Sequence, residues 1–356
     1  MSRVIKVGVI GCGEIAQWMH LPFLTELPGY QVTAVCDVSS MVVEHVGARF
    51  GVERRFTEVN ALLEDGDVDA VVIATPIHSD PAIAAARAGK HVLVEKPMAF
   101  NLDEAEAMVD AAAQSGVILM VAYMKRYDPG YLYGRRLMQA MHDVRLIRVH
   151  DLAGPNAAYV TDMTTTFRDS HLEMRNAAAL AADIRRRCEV ALGAGHPERV
   201  YRAFNFLGGL SSHDITILRG AFGSPARVTH TEIWQDGAYI LSTLDYGEGC
   251  RCIFEIGGTR KKEFDEELTA FGWHNTVRVR FPSPYVKYAP TLVESTDMEG
   301  DALVQRTVTA SYDESFRREL QHFYECVTEG RVPETPGREG VEDVRLQIEM
   351  IKAALR

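Results

Sequence analysis

The sequence predicts two successive architectures: an α/β half with a doubly wound parallel sheet, and an α+β half with a mostly antiparallel open sheet and helices on one face. Three observations predict this. In residues 4–121, continuously apolar runs alternate with helical segments, as in a parallel sheet covered on both faces. After residue 127, apolar runs are separated by hairpin-type turns such as Asp236-Gly237 and Glu248-Gly249. A chain of 356 residues with 47% hydrophobic content can bury two cores.

The first half contains the regular alternation of strands and helices. Its predicted strands are residues 4–10, 31–36, 54–56, 69–74, 91–94 and 117–121. Its predicted helices run from the first glycine turn to residue 27 and over 41–50, 80–88 and 103–115. Because the strands are apolar throughout, we expect helices on both faces of the sheet. We assign residues 1–126 to this first domain.

The second half, residues 127–356, reads as an α+β domain. Its predicted strands are residues 144–152, 226–234, 238–244, 250–256, 267–271, 276–281 and 303–310. A helix-rich insert around 160–206 interrupts them, and two helices at 314–328 and 340–355 close the chain. We expect these last helices to pack back toward the first domain.

Composition limits the classes of function. The formal net charge of −11, from 38 Lys+Arg against 49 Asp+Glu, argues against a nucleic-acid partner. No polybasic run suggests a membrane surface, and the first apolar run of about seven residues is too short for a signal or a spanning helix. Cys250-x-Cys252 is the one close cysteine pair, and its alternation fits a strand rather than a metal site. We therefore expect a cytoplasmic enzyme without a metal.

The first strand runs into Gly11-x-Gly13-x-x-Ala16, which then opens a helix. In this context the motif predicts a Rossmann dinucleotide site, with the pyrophosphate at the helix N-terminus. Asp37 follows the second strand, 24 residues after Gly13, where it can accept hydrogen bonds from the ribose hydroxyls. No arginine or lysine lies in residues 38–41, so we expect NAD in preference to NADP. The predicted cofactor-binding residues here are Gly11, Gly13, Glu14, Ile15, Ala16 and Asp37.

Two later turns follow buried strands at the same edge of the sheet, where ligands bind in this architecture. Ala74-Thr75-Pro76 follows the fourth strand, with His78 two residues on, and Glu95-Lys96-Pro97 follows the fifth. We expect both turns to line the cofactor site, with Glu95 anchoring its loop. An ammonium beside a positive nicotinamide ring is pushed toward its neutral form, which makes Lys96 the candidate acid/base. His20, on the first helix, is interpreted as a packing residue.

These three motifs, together with Tyr127-Asp128-Pro129 and the strand-rich second half, resemble the Gfo/Idh/MocA oxidoreductase family. The resemblance covers nearly the whole chain, and the Glu-Lys-Pro is its most diagnostic element. It implies that Lys96 lies beside the nicotinamide and the substrate hydroxyl, that Lys96–Pro97 is a cis peptide, and that the second-domain sheet associates between subunits.

The family's second signature is an Asp-x-x-x-His that opens a helix. His213, ten residues before Gly223, takes the histidine position if residues 215–222 form that helix, with Asp214 at its cap. Gly209 stands where the family has aspartate. Three readings remain open: His213 acts with Lys96, another carboxylate such as Asp162 or Asp169 replaces the aspartate, or redox chemistry has been lost.

We therefore predict an NAD-dependent oxidoreductase acting on a secondary alcohol or ketone of a sugar, sugar derivative or cyclitol. The alternatives are an enzyme that uses NAD transiently on a glycoside, and a catalytically silent cofactor-binding or sensor protein. Arg126, at the domain junction, is a candidate cofactor contact. The candidate substrate-binding residues are Lys96, Tyr123, His171, Arg175 and His213.

Overall fold

The computed structural model describes residues 3–155 and 157–356. The chain forms two compact units, each made from three segments. Unit 1 runs to Tyr123 and adds Thr164–Ala191 and Phe316–Val344. Unit 2 consists of Met124–Met163, Leu192–Ser315 and Arg345–Arg356. This division differs from the contiguous domains expected from the sequence, because part of the insert and part of the C-terminal helices group with unit 1.

The strands, in chain order, are β1 (Ile5–Ile10), β2 (Tyr30–Cys36), β3 (Arg54–Phe56), β4 (Ala70–Ile73), β5 (His91–Glu95), β6 (Leu119–Ala122), β7 (Leu146–Ala153), β8 (Arg227–Trp234), β9 (Tyr239–Asp245), β10 (Arg251–Gly258), β11 (Phe264–Phe271), β12 (Asn275–Phe281), β13 (Leu292–Glu299) and β14 (Ala302–Thr309).

The α-helices are α1 (Leu21–Glu26), α2 (Ser40–Phe50), α3 (Val59–Leu63), α4 (Ser79–Arg87), α5 (Leu102–Ser115), α6 (Pro129–Gln139), α7 (Ala157–Met163), α8 (Ser170–Leu192), α9 (Glu198–Phe222), α10 (Ser315–Glu329) and α11 (Gly337–Ala353). A π-helical turn, Ala16–His20, precedes α1, and a 3₁₀ turn, Met124–Tyr127, follows β6. None of the described helices is long and apolar enough to cross a membrane.

Unit 1 contains a six-stranded sheet of order β3-β2-β1-β4-β5-β6, and every neighbouring pair in it is parallel. The strand order reverses between β1 and β4, which places a crevice at their carboxyl ends. Val7, Val71 and Val92 are completely buried, as expected for strands covered on both faces. The predicted doubly wound parallel sheet is therefore confirmed.

Unit 2 contains an eight-stranded sheet of order β14-β13-β12-β11-β7-β10-β9-β8. Every neighbouring pair is antiparallel except β7 and β10. Along β7, Ile147, Val149, Asp151 and Ala153 are buried and alternate with half-buried residues. Helices α6 and α9 pack on this sheet. The predicted mostly antiparallel sheet is confirmed, although β13 was not predicted.

Helix α9 corrects one expectation from the sequence. It spans Glu198–Phe222, so His213 and Asp214 lie well inside it instead of opening a helix at residue 215. Asp214 is completely buried and does not cap the helix. Packing in unit 2 buries Gly208, Ser211 and Ser212 and stabilises the helix across this small and polar stretch.

Candidate active site

The glycine turn after β1 lies against the turn after β4. Gly11 has φ +91°, and a Cβ on it would lie 2.6 Å from the carbonyl carbon and oxygen of Ala74. Only glycine fits this position. A Cβ on Gly13, by contrast, would meet no atom of the described chain within 4 Å. That open space in front of a helix start suits the approach of a pyrophosphate.

Asp37, directly after β2, faces the glycine turn. Its Oδ2 accepts a hydrogen bond from the backbone N–H of Cys12 at 2.9 Å, and its Oδ1 accepts from the N–H of Ser39 at 3.0 Å. Two backbone donors hold the carboxylate in a fixed orientation at the edge where an adenosine ribose binds in this architecture. The residues predicted to hold a dinucleotide thus fit that group.

His78 connects the turn after β4 to the turn after β5. Its Nδ1 lies 2.7 Å from the carbonyl oxygen of Pro97, so Nδ1 carries the proton and donates it. Burial lowers the pKa of His78, which keeps the ring neutral. Thr75 closes its own turn by donating from Oγ1 to the carbonyl of Ile77 at 2.7 Å. The two turns therefore form one connected edge of unit 1.

The Glu95-Lys96-Pro97 turn begins where β5 ends, and its Lys96–Pro97 peptide is cis, as the resemblance implied. Glu95 is buried, its Oε1 lies 2.8 Å from Nε2 of His20, and its Oε2 accepts from the backbone N–H of Lys96 at 3.1 Å. Burial raises the pKa of Glu95, but His20 and the charge of Lys96 outweigh it and hold that pKa below its ordinary value. An ionised, anchored Glu95 thus fixes the backbone from which the half-buried Lys96 side chain extends.

His20 is a site residue that the sequence interpretation missed. It ends the π-helical turn Ala16–His20, is completely buried and contacts Glu95. Glu319 of α10 is also completely buried, and burial and then the charge of Glu95 raise the pKa of Glu319 well above its ordinary value. Glu319 is therefore a neutral carboxylic acid beside an ionised Glu95.

Replacing His20 by alanine is expected to destabilise the protein by about 2 kcal/mol, because the buried Glu95 carboxylate loses a hydrogen-bonding partner. Urea denaturation at neutral pH measures the change. Glu319→Gln is the matched control: a neutral amide replaces a neutral acid, so we expect little change in the free energy of unfolding. Equal stability of wild type and His20→Ala would contradict this account of Glu95.

In unit 2, His213 is half-buried on α9, one helical turn after Gly209. A Cβ on Gly209 would meet no described atom within 4 Å, so an aspartate side chain would find room there. Of the two carboxylates considered as substitutes for the missing aspartate, Asp162 pairs with Lys262 of unit 2, at 2.5 Å. Asp169 belongs to unit 1 and accepts a hydrogen bond from Ser39.

The remaining predicted site residues differ in burial: two are buried and two are exposed. Arg126 is buried and donates from Nη1 to the carbonyl of Thr216 at 3.1 Å, which ties the 3₁₀ turn to α9. Tyr123 is buried in the core of unit 1. His171 and Arg175 are exposed on α8. Contacts of these four side chains with cofactor or substrate stay predictions.

A second buried polar group occurs in unit 2. Asp151 of β7 and Glu266 of β11 are paired directly across the two strands, and Asp214 of α9 completes the group, with carboxylate oxygens of the three within 4.8 Å of one another. Lys125 is buried beside them, forms an ion pair with Glu266, and lies 5.3 Å from the ring of Phe264. We call Lys125, Asp151, Asp214 and Glu266 the buried acid cluster.

Burial sets the protonation of the buried acid cluster. It raises the pKa of Glu266 to about 8 and that of Asp214 well above its ordinary value. Burial alone would lower the pKa of Lys125, but the charges of the three acids outweigh it and raise that pKa. Lys125 therefore stays an ammonium, while burial favours the protonated forms of Glu266 and Asp214.

Comparison with known proteins identifies relatives of the first part of the chain and of the chain as a whole. Residues 5–123 match the GFO_IDH_MocA family, described as "Oxidoreductase family, NAD-binding Rossmann fold". The chain is 25% identical over 339 residues to the scyllo-inositol 2-dehydrogenase (NAD(+)) of Bacillus subtilis, covering 94% of this chain and 89% of the relative. The resemblance to the Gfo/Idh/MocA oxidoreductases is therefore supported over residues 5–123, the NAD-binding part of the chain. Over 150 residues the chain is also 31% identical to the myo-inositol 2-dehydrogenase of Thermotoga maritima, covering 42% of this chain and 44% of that one.

Solved structures of similar fold extend over both units. A levoglucosan dehydrogenase in complex with NADH and L-sorbose has a TM-score of 0.77 at 17% identity, over 99% of this chain and 97% of that one. A 3-ketoreductase from Actinomadura kijaniata, in complex with TDP-benzene and NADP, has a TM-score of 0.72 at 21% identity, with the same coverage. At these identities the likeness shows only that this chain shares their fold.

Proposed function

We propose that this protein is an NAD-dependent dehydrogenase that interconverts a secondary alcohol and a ketone on a sugar, sugar derivative or cyclitol, with Lys96 as acid/base. The observation that carries the proposal is the anchored Glu95-Lys96-Pro97 turn, joined through His78 to the turn that lies against Gly11. This continuous edge brings a lysine to the ligand-binding end of a parallel sheet. The relatives named for inositol dehydrogenation support a polyhydroxylated substrate.

The dinucleotide would bind with its pyrophosphate at Gly11, Gly13 and the helix start and with its adenosine ribose at Asp37. When bound, it supplies the hydride acceptor for oxidation and the hydride donor for reduction. The absence of arginine and lysine from residues 38–41 supports NAD over NADP.

The chain's own chemistry is proton transfer. In oxidation, neutral Nζ of Lys96 takes the hydroxyl proton of the alcohol as the C–H hydride leaves, so that a ketone and an ammonium form. In reduction, the same ammonium returns the proton to the alkoxide oxygen. We propose His213 as the partner of Lys96, on the strength of its place in the family's second signature. Association through the second sheet, as a dimer or tetramer, is part of the same proposal.

A panel of cyclitols, polyols and sugars, each with NAD and with NADP, tests this function by following the absorbance of reduced nicotinamide. Net NADH formation with a cyclitol or sugar is the expected result. Cleavage of a glycoside without net NADH would instead support transient use of the cofactor. Tight NADH binding with neither reaction would support the silent cofactor-binding alternative, which the glycine at position 209 favours.

A further inference from the structure

The segment before α8 lies directly on the dinucleotide-binding part of unit 1. The backbone N–H of Phe167 donates to Oε1 of Gln17 at 3.0 Å, and Nε2 of Gln17 donates to the Phe167 carbonyl at 2.9 Å. The Phe167 ring stacks on His45 of α2, with centroids 4.1 Å apart, and Arg168 forms an ion pair with Glu14 at 2.7 Å. These contacts fix the segment over the glycine turn and the start of α2.

Asp169, the residue after Arg168, and Asp37 both accept hydrogen bonds from Ser39. Its Oδ2 accepts from Oγ of Ser39 at 2.8 Å, while the backbone N–H of Ser39 donates to Oδ1 of Asp37 at 3.0 Å. The other oxygen of Asp169 accepts from the N–H of Leu172 at 3.0 Å, which caps α8. The Leu172 hydrogen bond, followed by that from Ser39, lowers the pKa of Asp169, so it is ionised at neutral pH. Two carboxylates thus flank one serine.

The hydroxyl of Ser39 has no proton left to donate to a ligand. Ser39 is 3% exposed, its proton goes to Asp169, and its oxygen accepts from the N–H of Val42 at 3.3 Å. A serine two residues after the ribose-binding acid would otherwise be a donor for a 2′-phosphate. A 2′-phosphate would bring about two negative charges toward two carboxylates and a serine without a free donor.

We infer that Asp169 is a second specificity-determining residue, which acts with Asp37 to exclude the 2′-phosphate of NADP. The inference rests on the proposed function, because it assumes that the adenosine ribose binds at Asp37. His171 and Arg175, which are exposed on α8, also act electrostatically on Asp169. Solvent screens all three charges, but Asp169 is the one that is hydrogen-bonded to Ser39 beside Asp37.

Asp169→Asn tests the inference, because asparagine caps a helix as well as aspartate does, while it removes the charge and puts an amide donor where Oδ2 accepted the Ser39 proton. Glu189→Gln is the matched control: it removes the same charge from the far end of α8, where Glu189 pairs with Arg185. Dissociation constants for NADH and NADPH are measured by nicotinamide fluorescence without substrate, at low and high salt. Thermal unfolding confirms that both variants are folded.

The expected result for Asp169→Asn is NADPH binding that tightens by roughly threefold to tenfold while NADH binding stays within about twofold. Glu189→Gln should behave as wild type, and high salt should reduce the difference. An unchanged ratio of the two constants in Asp169→Asn overturns the inference and leaves the proposed function standing. If wild type binds neither dinucleotide, the proposed function fails and the inference fails with it.

Discussion

Replacing Lys96 by alanine is expected to lower kcat for alcohol oxidation by about 10²- to 10⁴-fold, the usual contribution of a positioned acid/base. The Lys96 side chain is half-buried at the carboxyl end of β5, and its backbone is held by the ionised Glu95. Removing the amine leaves this anchor in place, because Glu95 accepts from the backbone of residue 96. Binding of NADH, measured by fluorescence, should therefore change little.

Two comparisons separate proton transfer from a merely structural role. Lys90, at the other end of β5, donates from Nζ to the carbonyl of Val68 at 2.6 Å, so Lys90→Ala is a matched control that should keep kcat. Lys96→Arg keeps a positive charge but has no accessible neutral form, so it should be as inactive as the alanine variant. Added ethylamine should partly restore Lys96→Ala. Full activity of Lys96→Ala would show that another group moves the proton.

The parts of the site that could be predicted from the sequence are contiguous in the chain. Gly11, Gly13 and Asp37 follow strands of a parallel sheet, and the carboxyl ends of such strands meet at one edge. Spacing along the chain therefore translates directly into position in space. The same reasoning placed Glu95 and Lys96 at that edge.

His20 could not be predicted in the same way. Its contact with Glu95 depends on a π-helical turn at Ala16–His20, which shifts the phase of every later side chain relative to an ordinary α-helix. A prediction that assumes 3.6 residues per turn therefore places His20 on the wrong face of the helix. Asp214 was misread for a related reason, since α9 begins at Glu198 and not beside His213.

The buried acid cluster combines residues from four distant parts of the chain, and only tertiary packing brings them together. The sequence contained one indication of the cluster: Asp151 lies on the same buried face of β7 as Ile147 and Val149. An acid in the buried phase of an alternating strand needs a partner. The sequence cannot say that the partners are Lys125, Glu266 and Asp214.

Replacing Lys125 by methionine is expected to destabilise the protein by about 3–5 kcal/mol at pH 8, because three buried carboxyl groups lose their only cation in the cluster. Methionine keeps the apolar stem that packs near Phe264 and Phe281. The loss should be smaller at pH 5, where Glu266 and Asp214, whose pKa values burial raises, are protonated. Urea denaturation at the two pH values measures both effects.

The wild-type protein should itself lose stability as the pH rises. The pKa of Glu266 is about 8 in the folded protein, above its ordinary value of 4.5, so the folded state binds the proton more tightly than the unfolded state. The contribution of Glu266 is therefore complete below about pH 4.5 and is lost as the pH rises through 8, a change on the order of a few kcal/mol. Glu266→Gln should flatten this part of the pH profile. An equally steep decline in Glu266→Gln would show that Glu266 does not carry this proton. A Lys125→Met variant as stable as wild type at pH 8 would show that the cluster does not need the cation.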